Sequence, residues 1–216
     1  MAWDEAETAS FLNAWKQGEG QVAPGSVLGN FLMKVAKNTD YTKYLEIGTW
    51  SGMGSTRCLH LGFLERTTPF VFKTLECNKE KCEMAALHYK DYPSIQILNS
   101  TVVRASDIPS IDELKLMFND LVEDWHTIDM ENLATCSFLE ERDFEVVLLD
   151  GGEYTTYFEY KELVKSPTLR MIICDDTNTN KCKKIREELF ASTEWKIIED
   201  HPVDRNGWCA FIRVVT

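Results

Sequence analysis

The apolar positions of this chain switch repeatedly between a spacing of three to four residues and short continuous runs, the pattern of helices alternating with buried strands. From Trp3 to Lys16, the residues Trp3, Ala6, Phe11, Ala14 and Trp15 fall on one side of a helical wheel, and Gly18-Glu19-Gly20 ends the pattern. This amphipathic helix can pack on a sheet or serve as a lid over a ligand. A second helix is expected from Ser26 to Lys37, with Val27, Leu28, Phe31, Leu32 and Val35 largely on one face. After the polar turn Asn38-Thr39-Asp40, the stretch Lys43 to Thr56, KYLEIGTWSGMGST, reads as strand, tight glycine loop and helix, with the helix running to about Leu61. Phe70 to Glu76 reads as a second strand and Lys79 to Tyr89 as a helix capped by Asn78. Pro93 bars its continuation, and Ile95 to Leu98 form a third strand.

The segment 103–142 departs from this alternation. Ser110 followed by Glu113 forms a capping box, and Ile111, Leu114, Met117, Leu121 and Trp125 have helical spacing; a further helical stretch covers Met130 to Glu141. This is one extended crossover helix or two helices, and the part around Trp125 and His126 is a candidate substrate-side insertion. Phe144 to Asp150, FEVVLLD, then reads as a strand buried on both faces, followed by a helix at Tyr157 to Lys165. Met171 to Cys174 is another such strand, ending in Asp175-Asp176, and the helix Lys181 to Ala191 follows. Trp195 to Glu199 and Trp208 to Val215, joined by a loop holding Asn206-Gly207, predict a closing antiparallel hairpin. The expected architecture is α/β: a mostly parallel seven-stranded sheet with helices on both faces, in one domain spanning residues 1–216.

Composition narrows the class. A chain of 216 residues with 44% apolar side chains can fill one sizeable core. Acidic residues outnumber basic ones 35 to 23, and the basic cluster is short: Lys181, Lys183, Lys184 and Arg186. Duplex nucleic acid is therefore not the expected partner, which leaves a small-molecule substrate. The seven cysteines include no C-x-x-C pair, and Cys58, Cys174 and Cys209 sit in apolar stretches, so free thiols in a reducing compartment are expected. No apolar run approaches a membrane span and the N-terminus lacks a leader pattern, which points to a cytoplasmic protein. Oligomeric state is left open.

Candidate chemistry lies at the strand ends. In open parallel sheets ligands bind beyond the carboxyl ends of the strands, where acids far apart in sequence converge. The loop after the first strand fails the dinucleotide pattern G-x-G-x-x-G, because Trp50 and Met53 stand at the second and third glycine positions; Glu46-x-Gly48-x-x-x-Gly52 remains. Glu76, ending the second strand, can accept hydrogen bonds from both hydroxyls of a ribose. Asp150 and Asp175-Asp176 end two further strands, and if these are adjacent their carboxylates can share Mg²⁺, Mn²⁺ or Ca²⁺. Alternatively Asp175 or Asp176 caps the following turn.

Glu46-x-Gly48-x-x-x-Gly52 resembles motif I of the Rossmann-like S-adenosylmethionine (SAM) methyltransferases. With Glu76, the turn Leu98-Asn99-Ser100-Thr101, Leu149-Asp150 and Asp175-Asp176 in the same order, the chain from about Gly20 onward is similar to the catechol O-methyltransferase-like family. The resemblance implies a Rossmann-like methyltransferase fold that binds SAM. Glu46, Gly48 and the backbone near Gly52 to Ser55 would meet the methionine part, Glu76 the ribose and Ser100 the adenine edge, with Thr49, Trp50 and Cys77 also among the cofactor-binding positions. Asp150 would lie beside the cofactor and hold a divalent metal with Asp175 and Asp176, acting in catalysis by chelating the acceptor. The family's base, a lysine or histidine three residues beyond the fourth-strand acid, is replaced here by Glu153, and Gly151 lacks a side chain that usually covers the adenine. The expected reaction is metal-assisted O-methylation of a small hydroxylated acceptor, catechol-like or a sugar, with Glu153 taking the proton, or with no base needed if the metal-bound hydroxyl is already ionised.

Two other classes fit the same residues. A SAM-binding protein without turnover is motivated by Glu153 standing where Lys or His is expected. Another metal-dependent enzyme on this fold, an oxygenase or hydrolase, is the second. His60, His88, His126 and His201 are scattered and form no evident 2-His-1-carboxylate set. Arg205-Asn206-Gly207-Trp208 reads first as a turn, whose Arg and Trp could reach the mouth of the site.

Overall fold

Alternation along the strands decides where the core forms. Tyr44, Val146, Leu148 and Ile173 face one layer, while Leu45, Ile47, Val147, Leu149 and Ile172 face the other, so the central strands are buried on both sides. The computed structural model describes residues 21–118 and 120–214; the expected helix Trp3–Lys16 lies outside the described residues. The elements are α1 (Val27–Lys37), β1 (Lys43–Ile47), α2 (Ser55–Leu64), β2 (Val71–Leu75), α3 (Lys79–Tyr89), β3 (Ile95–Leu98) and β4 (Ser100–Thr101). There follow α4 (Ile111–Met117), α5 (Glu123–Thr135), β5 (Ser137–Phe138), β6 (Val146–Leu149), α6 (Thr156–Leu163), β7 (Met171–Asp175), α7 (Lys183–Ala191), β8 (Trp195–His201) and β9 (Trp208–Arg213).

Seven strands form one sheet in the order β3-β2-β1-β6-β7-β9-β8. The first five in that order run parallel, whereas β9 pairs antiparallel with both β7 and β8. This is the expected architecture, with β9 inserted between β7 and β8. Chain order reverses between β1 and β6, so the carboxyl ends of these neighbours open a crevice at the topological switch point. Helix starts follow local capping: Ser26 accepts the Gly29 N–H at 3.0 Å, and Asn78 accepts that of Lys81 at 3.1 Å.

The insertion resolves into two helices, one of the two expected arrangements, with bounds that differ from those expected. Phe118 takes an extended conformation after α4, and Asp120 has φ +59°, which turns the chain before α5. Trp125 therefore belongs to the second helix and does not continue the buried stripe of Leu114. The helix expected to reach Glu141 stops at Thr135, because Ser137–Phe138 pairs in parallel with Ser100–Thr101. Among the described residues, no helix is long and apolar enough to cross a membrane. All seven cysteines are free thiols, with Cys58, Cys174 and Cys209 buried in the core.

Candidate active site

A cavity of about 490 Å³ lies in the switch-point crevice. Its floor is the glycine loop after β1. Gly48 has φ +93°, and a Cβ there would stand 2.0 Å from the carbonyl oxygen of Asp150, so the backbones following β1 and β6 approach at a distance no side chain allows. Trp50 also takes a left-handed conformation, at φ +51°. Its half-exposed ring lies beneath the Lys81 ammonium, 4.5 Å from the centroid. Gly54 and Ser55, at the positive end of α2, complete this wall.

Glu76 leaves the carboxyl end of β2 and is 8% exposed. Its Oε2 accepts the Trp50 N–H at 2.6 Å and its Oε1 the Asn78 N–H at 2.8 Å. Burial raises its pKa, and these two N–H groups oppose the rise. Each oxygen keeps acceptor capacity toward the cavity. Cys77 lines the same wall, its Sγ 3.4 Å from that of Cys136, and Ser100 donates its hydroxyl to the Ser137 carbonyl at 2.9 Å.

The structure brings Gly48, Thr49, Trp50, Ser55, Glu76, Cys77, Ser100, Asp150, Glu153 and Asp176 to one cavity. It does not bring Glu46, Gly52 or Asp175 to that surface. Glu46 is fully buried behind the loop, its carboxylate accepting the hydroxyls of Ser55 at 2.6 Å, Thr56 at 2.6 Å and Thr74 at 2.7 Å. It ties β1 to β2 and to the start of α2. Burial pushes its pKa up to about 7 against those three donors. Gly52 points its carbonyl away, accepting the Tyr89 hydroxyl at 2.5 Å. Gly151 is required by packing, since a Cβ there would lie 2.8 Å from both Ile47 Cγ2 and Thr156 Oγ1.

The strand-end acids converge as their spacing suggested, and the side chains of Lys181, Arg205 and Asn206 stand among them. Lys181 Nζ donates to Asp150 Oδ1 at 2.8 Å and to Asp176 Oδ2 at 2.7 Å. Arg205 Nη2 lies 3.0 Å from Asp175 Oδ2 and 3.7 Å from Asp176 Oδ1, and Asn206 donates to Asp176 Oδ1 at 3.1 Å. The expected sharing of a divalent ion by Asp150, Asp175 and Asp176 does not fit this donor set: an ammonium sits where the shared cation would be. Among the described residues, no group of three or more His, Cys, Asp and Glu side chains is arranged to hold a metal ion. Burial disfavours the Lys181 charge, but the two carboxylates outweigh it and hold its pKa above the ordinary lysine range.

Of the far wall, the sequence offered Trp125 as a substrate-side candidate but did not single out Ile128, Asp129 or Asn132. Trp125, Ile128, Asp129 and Asn132 present one face of α5 to the cavity. Asp129 Oδ2 accepts the Tyr154 N–H at 2.9 Å and so pins the loop that carries Glu153, and burial pushes its pKa up to about 6. Glu153 accepts from the Thr179 hydroxyl at 3.3 Å. Spacing of three to four along α5 was the available signal for that face; Lys181 gave none beyond its charge.

No protein-family model matches the sequence, and no curated protein matches it. Solved structures do. The cofactor-bound Rv0187 from MTB superposes with a TM-score of 0.61 at 16% identity, over 97% of this chain and 90% of that one. An O-methyltransferase from Bacillus cereus in complex with SAH gives 0.59 at 15% identity, over 99% and 93%. The chain has the fold of the class I methyltransferases. The O-methyltransferase TomG from Streptomyces achromogenes, in complex with SAM, shares this methyltransferase fold at 12% identity, with a TM-score of 0.57 over 99% of this chain and 92% of TomG.

Proposed function

We propose that this protein is a SAM-dependent methyltransferase that O-methylates a small hydroxylated acceptor. The observation that carries the reading is Glu76, a buried carboxylate at the end of β2 facing the cavity, with each oxygen held by one backbone N–H. That arrangement suits a vicinal diol of a ribose. The side-chain-free approach at Gly48 and the start of α2 suit the methionine part, whose carboxylate is stabilised by the helix dipole. Cys77 and Ser100 line the wall where an adenine would lie. Fold similarity to SAM- and SAH-bound proteins supports the same reading.

Bound SAM supplies an electrophilic methyl carbon on a positively charged sulfur. What the chain adds is placement of the acceptor and a destination for its proton. Trp125 and Ile128 offer an apolar face, and Asp129, Asn132, Glu153 and Arg205 offer hydrogen bonds around it, a lining suited to a ring bearing hydroxyls. Glu153 takes the acceptor proton as the oxygen is alkylated. The ammonium of Lys181 supplies positive charge in the same cavity, so the proposed chemistry routes no step through a divalent ion.

Incubation with SAM and panels of catechols and glycosides, read by mass spectrometry, tests this directly. An acceptor gaining one methyl group as SAH accumulates is the expected result. Tight SAM binding with no methylated product across both panels contradicts it and favours a cofactor-binding protein without turnover.

A further inference from the structure

We infer that the ammonium of Lys181 is the resident cation of this site, fixed between the ends of β6 and β7 in the position a divalent ion would otherwise take, and that removing it opens a metal site. The role rests on the methyltransferase reading; the charge substitution does not. Lys181 leaves the loop between β7 and α7, five positions beyond Asp176, and its four-carbon stem reaches back across the strand ends to Asp150. Its Nζ bonds Asp150 Oδ1 at 2.8 Å and Asp176 Oδ2 at 2.7 Å, with the side chain 14% exposed. Neighbouring parallel strands stand about 4.8 Å apart, so carboxylates at their ends can share one small cation or one ammonium, but not both.

The rest of the cluster is arranged around the lysine. Arg205 neutralises Asp175 at 3.0 Å, and Asn206 takes the Asp176 oxygen that Lys181 leaves, at 3.1 Å. Asp176 is held in this arrangement by a left-handed backbone, φ +54°. A hard divalent ion would need Asp150 Oδ1 and Asp176 Oδ2, the two oxygens that Lys181 occupies, freed of that donor. An ammonium has three donors; two are used on Asp150 and Asp176, and the third is available toward the cavity that Lys181 lines. A single positive charge polarises an acceptor hydroxyl less than a divalent ion does. A separate proton acceptor must then remain, which accounts for a carboxylate at Glu153 in the same cavity.

Mn²⁺ titration followed by electron paramagnetic resonance tests the assignment without turnover. The wild-type protein is expected to leave the free-Mn²⁺ signal unchanged up to about 1 mM, the weak end of oxygen-ligand sites. Lys181→Ala is expected to bind one Mn²⁺ at least about tenfold more tightly than that limit, and adding Asp176→Ala, which removes the oxygen ligand, is expected to abolish the gain. Lys181→Met, which keeps the stem, replaces the alanine variant if circular dichroism shows the latter unfolded. Wild-type binding below 1 mM, or a folded Lys181 variant that binds no Mn²⁺, overturns the inference. The wild-type arm requires no variant to fold. SAH titration of the same samples reports separately on the cofactor site, so failure there leaves the cation result readable.

Discussion

The backbone N–H of Trp50 donates to Glu76 Oε2 at 2.6 Å, joining the glycine loop after β1 to the acid that ends β2. One carboxylate thus shapes the loop and faces the proposed ribose. In Glu76→Gln the amide NH₂ has no lone pair to accept one of the two backbone N–H groups, and charge is lost toward the diol. Affinity for SAH should fall about tenfold or more, since a hydrogen bond to a charged group contributes about 1.5–3 kcal/mol. Calorimetric titration of the variant checks this, and unchanged affinity places the ribose elsewhere.

Gly48 tests the loop from its other side. With φ +93° and a virtual Cβ 2.0 Å from the Asp150 carbonyl oxygen, Gly48→Ala must both strain its own backbone and push β6 away. Left-handed strain alone costs about 1–2 kcal/mol. The overlap adds to it, so Tm should drop by about 4 °C or more in a thermal melt. A variant with unchanged Tm would mean that the β1 and β6 ends do not approach this closely.

The loop carrying Glu153 should show its own pH dependence. Burial pushes Asp129 up to about 6, so below that pH its carboxyl protonates and holds the Tyr154 N–H less firmly. Wild-type kcat/KM should fall below about pH 6, and Asp129→Asn should remove that limb while lowering the plateau. Glu153→Gln should lower kcat about 10²-fold or more at unchanged SAM affinity, the usual worth of a general base. A persistent acidic limb in Asp129→Asn assigns it to another group.

Stability should also depend on pH. Burial raises Glu46 and Glu159 from 4.5 to about 7 in the folded protein. Between those values the native state binds more protons than the unfolded chain, so stability is full below about pH 4.5 for these groups and is lost as pH rises through about 7. Each contributes on the order of 3 kcal/mol to that slope. Thermal melts from pH 5 to 8 should show Tm falling with pH, and Glu46→Gln should flatten the trend. A slope unchanged in the variant would contradict the assignment to Glu46.

Much of this was legible in the sequence for physical reasons. Lys79–Tyr89 and Ile95–Leu98 are bounded by Asn78 and Pro93, local signals that decide element ends without tertiary help. The acids at Glu76, Asp150 and Asp176 were readable because a parallel strand buried on both faces is apolar until it reaches solvent at its carboxyl end. The break at Asp120 was not readable, because helical spacing runs from Ile111 through Trp125 across the turn. Glu46 looked like a ligand contact, yet three hydroxyls from Ser55, Thr56 and Thr74 enclose it, a contact set that spacing along one strand does not reveal. Lys181 was indistinguishable from Lys183 and Lys184 by charge. Only the turn before α7 separates it from them and aims it at Asp150 and Asp176.

The decisive measurement of the cofactor site is isothermal titration calorimetry with SAM and SAH, on the wild type and Glu76→Ala. One site per chain is expected for each nucleoside, with binding that needs no added Mg²⁺ and affinity lost by about tenfold or more in the variant. Absence of binding by either nucleoside to the folded wild type, with or without Mg²⁺, would contradict the methyltransferase reading.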